Sequence, residues 1–162
     1  MIDEEGFRLN VGIVIANAEG KLLWGKRFGR MGGWQFPQGG INENENAEEA
    51  MYRELYEEVG LTRADVEIIA VSKNWYCYYL PKRFRRYHMQ PLCIGQKQRW
   101  FLLRLVTDDS QVRLDVGPKP EFITWEWVDY WYPTRQIILF KRQVYKDMLK
   151  EFEHFLLPLP QE

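Results

Sequence analysis

The stretch GGINENENAEEAMYRELYEEVGL, residues 39–61, carries seven glutamates and one basic residue, Arg53, in a chain whose net charge is only -1. Its pattern predicts an amphipathic helix. Asn46 is a good N-cap and Glu49, three residues on, completes a capping box. Ala47, Met51, Leu55 and Val59 recur at four-residue spacing as an apolar stripe, and Gly60 is a natural stop. At about 100° per residue, Glu54, Glu57 and Glu58 share roughly 100° of arc beside that stripe. They lie toward the helix C-terminus, where the macrodipole opposes negative charge, and like charges three and four apart repel. Such a helix needs positive charge against it. Arg53 can reach Glu57 and Glu49, but one guanidinium does not neutralise three to five carboxylates. Clustered carboxylate oxygens suit a hard divalent cation, magnesium (Mg2+) or manganese (Mn2+), rather than zinc or copper. On charge alone, a solvated acidic face is the competing explanation. The adjoining apolar stripe favours a cleft at the edge of the core, and Gly39-Gly40 lets backbone approach closely ahead of the helix.

Around this helix the chain reads mainly as strands. Val11–Ala16 and Leu22–Phe28, separated by the turn NAEGK, predict a hairpin. GRMGG reads as a flexible loop, and WQFPQGG as a short extended piece. Val66–Ser72, Trp75–Leu80, Gln96–Val106 and Glu121–Val128 predict further strands. From Thr134 to Phe155, Ile137, Ile138, Val144, Tyr145, Met148, Leu149 and Phe152 recur at helical spacing. Strands with one internal and one terminal helix make an α/β sandwich around a mixed sheet.

Composition narrows the class. The 162 residues fit one domain, 1–162, and 46% hydrophobic and 15% aromatic residues supply its core. Near-neutral charge argues against a general nucleic-acid coat and leaves room for a local basic site. No apolar run approaches the roughly 20 residues needed to span a bilayer, and the acidic start MIDEEGFRLN has no apolar signal core. The expectation is therefore a cytoplasmic protein without membrane contact. Cys77 and Cys93 lack metal spacing and read as free thiols. His88 and His154 also lack ligand spacing and read as structural or surface residues.

Gly39, Glu45, Arg53-Glu54-Leu55, Glu57-Glu58 and Gly60-Leu61 together match the Nudix hydrolase signature at every fixed position. Beyond it, NVGIVIAN, WQFPQGGI, NWYCYYLPKR, IGQKQRWFLL, PEFITWEWV and YWYPTRQIILFKRQVY resemble the bacterial RNA pyrophosphohydrolase branch over nearly the whole chain. The resemblance implies a Nudix α/β/α sandwich. It also implies a metal-dependent enzyme that removes pyrophosphate or phosphate from tri- or diphosphorylated RNA 5′ ends, leaving a 5′-monophosphate and promoting mRNA decay. Asymmetric dinucleoside tetraphosphate hydrolases share WQ-P-QGG and are the alternative, with dinucleoside polyphosphates as substrates. A Nudix-fold module that binds without cleaving is disfavoured, because all the signature glutamates are present. A monomer is expected.

By the same resemblance, Gly39, Glu54, Glu57, Glu58 and Glu121 hold more than one divalent metal, and Arg53 orients a glutamate. Glu121 is a ligand or the base that activates water; otherwise it is a strand-edge charge. Arg8, read as preceding the first strand, Arg27, read as ending the second, and Lys141 would hold phosphate. Phe140 would stack on an RNA base, unless it belongs to the core of the last helix. Tyr78 would line the pocket. The loop PKRFRRYH, Pro81–His88, has four basic residues and three aromatics and reads equally as an RNA backbone track or a solvated loop. The chain departs from the branch in an extra residue within GRMGGW, in Cys77 where a longer, often basic residue is familiar, and in a short end, LPLPQE, without a basic tail.

Overall fold

The computed structural model describes residues 1–29 and 32–156. The loop GRMGGW, where an extra glycine is expected, lies partly outside that range, at residues 30–31, and the chain end LPLPQE, residues 157–162, lies wholly outside it. The sheet is built on β1 (Phe7–Ala16) and β7 (Gly95–Leu105), which run parallel from Phe7↔Gly95 to Ala16↔Arg104. Three neighbours are antiparallel: β4 (Gln38–Gly40) beside β1, and β5 (Val66–Val71) and β6 (Tyr76–Tyr79) beside β7. The sheet is thus mixed, as expected.

The expected hairpin forms only at its base. β2 (Leu22–Arg27) meets β1 at Ala16↔Leu22, then diverges to pair with β8 (Phe122–Val128) and β3 (Trp34–Gln35). The cause is competition for the same β1 edge. Asn10, Val11 and Gly12 pair with β4, and the Ile13 amide donates to the Pro37 carbonyl. This divergence opens the sheet beside Gly39 and Gly40.

Alternation along the two central strands divides the core. Val11, Ile13, Ile15, Phe101 and Leu103 face α1 (Ala47–Val59), which contributes Ala50, Met51, Leu55 and Val59. Val14, Ala16, Trp100 and Leu102 face the opposite helix layer, with Trp24 and Phe36. That layer corrects the expected continuous last helix. The chain forms α2 (Tyr132–Gln136), a 3₁₀ turn at Leu139–Lys141, and α3 (Arg142–Leu156). Ile137 and Ile138 between them are extended, and point oppositely: Ile137 is 3% exposed and Ile138 42%. In a helix consecutive residues stand only about 100° apart, so both could have bordered one apolar face, and their recurrence imitated helical spacing. Val144, Tyr145, Met148, Leu149 and Phe152 do form the buried stripe of α3. No helix among the described residues is long and apolar enough to cross a membrane.

Candidate active site

α1 is fixed at both ends as its sequence predicts. Asn46 Oδ1 accepts from the Glu49 amide at 2.8 Å, and Glu49 Oε1 accepts from the Asn46 amide at 3.0 Å. This cap occupies Glu49, so Arg53 does not pair with it. At the other end Gly60 adopts φ 74°, a left-handed cap that donates to the Tyr56 carbonyl.

Arg53 instead turns toward β4. Its guanidinium grips Glu45 through Nη2 at 2.6 Å and Nε at 3.1 Å. Nη2 also donates to the Gly40 carbonyl at 2.8 Å. Nη1 reaches Glu54 at 2.6 Å and, more loosely, Glu57 at 3.4 Å. The residue clamps helix, loop and strand together, in the fork geometry that only arginine supplies. Its partnership with Glu45 holds the Glu45 carboxyl below the usual range.

The remaining acids form a strained wall. Glu58 is 6% exposed, and its Oε2 is buried without a partner. Burial first, then the charges of Glu54 and Glu121, push its pKa well upward. Burial also raises Glu54, although Arg53 opposes that shift. Gly39 lies directly against Glu54: a Cβ on residue 39 would stand 2.0 Å from Glu54 Cδ. Glu121 sits one residue before β8 and pairs with Arg27 Nε at 3.4 Å.

These groups line one cleft of about 280 Å³. Glu54, Glu58 and Glu121 form its acidic side, and Arg8 and Arg27 bring positive charge to it. Arg8 lies within β1 rather than before it, beside Gly40, because the strand starts at Phe7. Arg27 ends β2 as expected.

Lys141, Phe140 and Tyr78 form the adjoining compartment. Lys141 Nζ donates to Gln35 Oε1 at 3.2 Å and lies 5.5 Å from the Tyr78 ring centroid. Burial, then repulsion from Arg27, lowers the lysine pKa to about 8, with Glu121 opposing. Phe140 lies half-buried in the 3₁₀ turn, 5.7 Å from Tyr78, and packs against the core on the α3 side of the sheet. Tyr78 is 6% exposed, and burial pushes its hydroxyl pKa up.

The sequence reading missed the amides that join the two compartments. Asn10, Gln35, Gln38 and Gln96 line the cleft. Gln98, fully buried behind it, donates to Asn10 at 2.9 Å and to Gln38 at 3.3 Å. The signal was alternation: Gln96 and Gln98 share a strand face with buried Trp100. Glu45 stood in the signature pattern without a role. His88 and His154 are exposed, and both cysteines are free.

The donor set fits a hard divalent cation. It offers clustered carboxylate oxygens, an orphaned buried Glu58 Oε2, and a Gly39 backbone that Glu54 crowds as only glycine allows. Among the described residues the acids do not already close into a three-ligand cage, and Arg53 holds Glu54.

Residues 6–152 match the model of the NUDIX domain. The chain is 60% identical over 156 residues to the RNA pyrophosphohydrolase of Histophilus somni (strain 2336), covering 96% of this chain and 81% of that protein. It is 57% identical over 158 residues to the RNA pyrophosphohydrolase of Vibrio cholerae serotype O1, covering 98% and 91%. A solved C. elegans Ap4A hydrolase binary complex shares the fold, with TM-score 0.69 and 20% identity over 94% of this chain and 99% of that one.

Proposed function

The chain belongs to the Nudix family, and from that premise we propose that it is an RNA pyrophosphohydrolase acting on tri- or diphosphorylated 5′ ends. The observation that carries this reading is one cleft in which Glu54, Glu58 and Glu121 share space with Arg8 and Arg27, beside the packed Tyr78–Phe140 ring pair. A polyphosphate attached to a base needs both compartments at once. The relatives named RNA pyrophosphohydrolase, at 57–60% identity over most of their length, support the same substrate class.

In this reading Gly39, Glu54, Glu57, Glu58 and Glu121 would hold magnesium or manganese, more than one ion in total. Such ions neutralise phosphate oxygens and lower the pKa of bound water. Arg53 keeps Glu54 aimed into the cleft and holds Glu57 loosely beside it. Arg8, Arg27 and Lys141 bind phosphate oxygens. Glu121 is a further ligand or takes the proton of the attacking water. Water oxygen bonds to a phosphorus of the 5′ polyphosphate, and the anhydride P–O bond breaks. Pyrophosphate leaves a triphosphorylated end, or phosphate a diphosphorylated one, and the RNA keeps a 5′-monophosphate. Phe140 stacks on a base near that end and positions the chain of phosphates. A single domain, 1–162, acting as a cytoplasmic monomer suffices for this chemistry, and exposing 5′-monophosphate ends promotes mRNA decay.

The test uses a short RNA labelled at its 5′-triphosphate and, in parallel, diadenosine tetraphosphate, each with magnesium, manganese or chelator. Metal-dependent conversion to monophosphorylated RNA, much faster than dinucleotide cleavage, is expected. Preference for the dinucleotide would reassign the substrate to the dinucleoside tetraphosphate class while leaving the site in place.

A further inference from the structure

The aromatic row does not end at Phe140. Phe84 lies on its other side, with ring centroids 5.8 Å apart and planes at 41°. The guanidinium of Arg83 stands 4.7 Å from the Phe84 centroid. Tyr78, Phe140, Phe84 and Arg83 therefore run in sequence from beside the cleft, where Lys141 links Tyr78 to the cleft residue Gln35, out onto the surface. Phe84 is held there by a 3₁₀ turn, Lys82–Phe84, and its amide donates to the Pro81 carbonyl at 2.8 Å. Arg85 braces the same loop by donating to the Leu80 carbonyl at 3.0 Å. The platform is thus a positioned feature of the loop, and Phe84 is only half-buried.

The charge along this stretch of the chain is one-sided. From Ile68 to Thr107 the chain has no aspartate or glutamate, while Lys73, Lys82, Arg83, Arg85, Arg86, Lys97, Arg99 and Arg104 lie in that span. Among the described residues, Lys82, Arg83, Arg85 and Arg86 form no ion pair. Lys82, Arg83 and Arg86 are exposed. A chain of net charge -1 has gathered unneutralised cations at the outer end of an aromatic row that begins beside the candidate cleft. Flat rings beside cations suit unpaired bases on a phosphate backbone, and they bind with little regard to sequence.

We propose that Phe84 and Arg83 form a second stacking subsite, which takes the nucleotide one step further along a single-stranded RNA than the base on Phe140. This inference rests on the RNA reading of the site and deepens it. Phe84 stacks on the next base, and Arg83 covers that base or contacts its phosphate. Of the two readings open for the Pro81–His88 loop, it selects the track over the solvated loop. Substrate recognition then favours 5′ ends with several unpaired nucleotides.

The experiment compares kcat/KM on a 5′-triphosphorylated mononucleotide and on a longer unstructured 5′-triphosphorylated RNA. The mononucleotide supplies a base for Phe140 and none for Phe84. The parent enzyme is expected to prefer the longer RNA. Phe84→Ala should shrink that preference roughly tenfold, the loss of about one stacked base, and Phe84→Trp should restore it. Arg83→Ala should reduce the salt slope of binding to 5′-monophosphorylated RNA by about one. If Phe84→Ala lowers both substrates equally, Phe84 merely buttresses Phe140 and the proposal is overturned. If the parent prefers the longer RNA and the variant keeps the whole preference, the subsite is overturned while the RNA reading stands. If the parent converts neither of these but splits diadenosine tetraphosphate, the RNA reading falls and this subsite with it.

Discussion

The carboxylate of Glu54 fills the space that a side chain on Gly39 would need, with Glu54 Cδ 2.0 Å from the ideal Cβ position. The obstacle is the far end of a flexible side chain, so a methyl group at residue 39 can be accommodated by moving Glu54. The fold then survives and the site does not. Gly39→Ala is expected to leave the thermal midpoint within a few degrees and to lower turnover by roughly a hundredfold, the effect of misplacing a catalytic group by about 1 Å. Circular dichroism melts and initial rates on the same preparations check both halves.

Glu58 gives a prediction that requires no substrate. Its folded pKa is raised, first by burial and then by Glu54 and Glu121. A carboxyl of this kind destabilises the fold as pH rises from its ordinary value, 4.5, toward the raised one, and the penalty persists above it. A bound cation removes the penalty. Without divalent metal at neutral pH, Glu58→Gln is therefore expected to melt higher than the parent, and the difference should shrink toward pH 4.5. Saturating magnesium or manganese should stabilise the parent by about 2–3 kcal/mol at a hundredfold excess over Kd, and Glu58→Gln much less. Equal metal stabilisation of both proteins contradicts the assignment of Glu58.

Lys141 carries the opposite sign. Its folded pKa, about 8, lies below the ordinary 10.5, so the unfolded chain holds the proton more tightly. The destabilisation is complete below about pH 8 and is relieved as pH rises toward 10.5. Lys141→Met should raise stability at neutral pH by on the order of 1–3 kcal/mol, with the advantage fading toward pH 10.5. For the substrate the sign reverses. Loss of the ammonium charge above about pH 8 should raise KM in the parent, while Lys141→Met starts with a high KM and shows little further change there. Melting curves and a pH series of KM, run with both proteins, separate the two effects.

Much of this site was legible because its signals are local. Asn46, Glu49 and Gly60 define the two ends of α1 through backbone chemistry within four residues, and the glutamate spacing defines its acidic face. The errors came from competition between distant segments. Nothing near Val11–Ala16 and Leu22–Phe28 announces that Gln38–Gly40 will take the β1 edge and split the hairpin. Ile137 and Ile138 fit a helical stripe by position, and only packing shows that they point oppositely. The amides were missed for another reason. Asn10, Gln35 and Gln98 are polar residues at buried strand positions, and only alternation with core residues such as Trp100 marks the face that Gln98 occupies. Their value appears once Gln35 meets Lys141 and Gln98 meets Asn10.

The central claim is that the acidic face of α1 is completed by metal and performs the hydrolysis. The most direct measurement is turnover of 5′-triphosphorylated RNA by the parent and by Glu57→Gln across a magnesium or manganese titration, with circular dichroism of both proteins. Glu57 is 40% exposed, so its replacement leaves the core intact. The account predicts superimposable spectra, metal-dependent release of pyrophosphate by the parent, and a rate lower by roughly a hundredfold or more in Glu57→Gln. A folded Glu57→Gln protein with unchanged turnover, or a parent that works equally well in chelator, would contradict it.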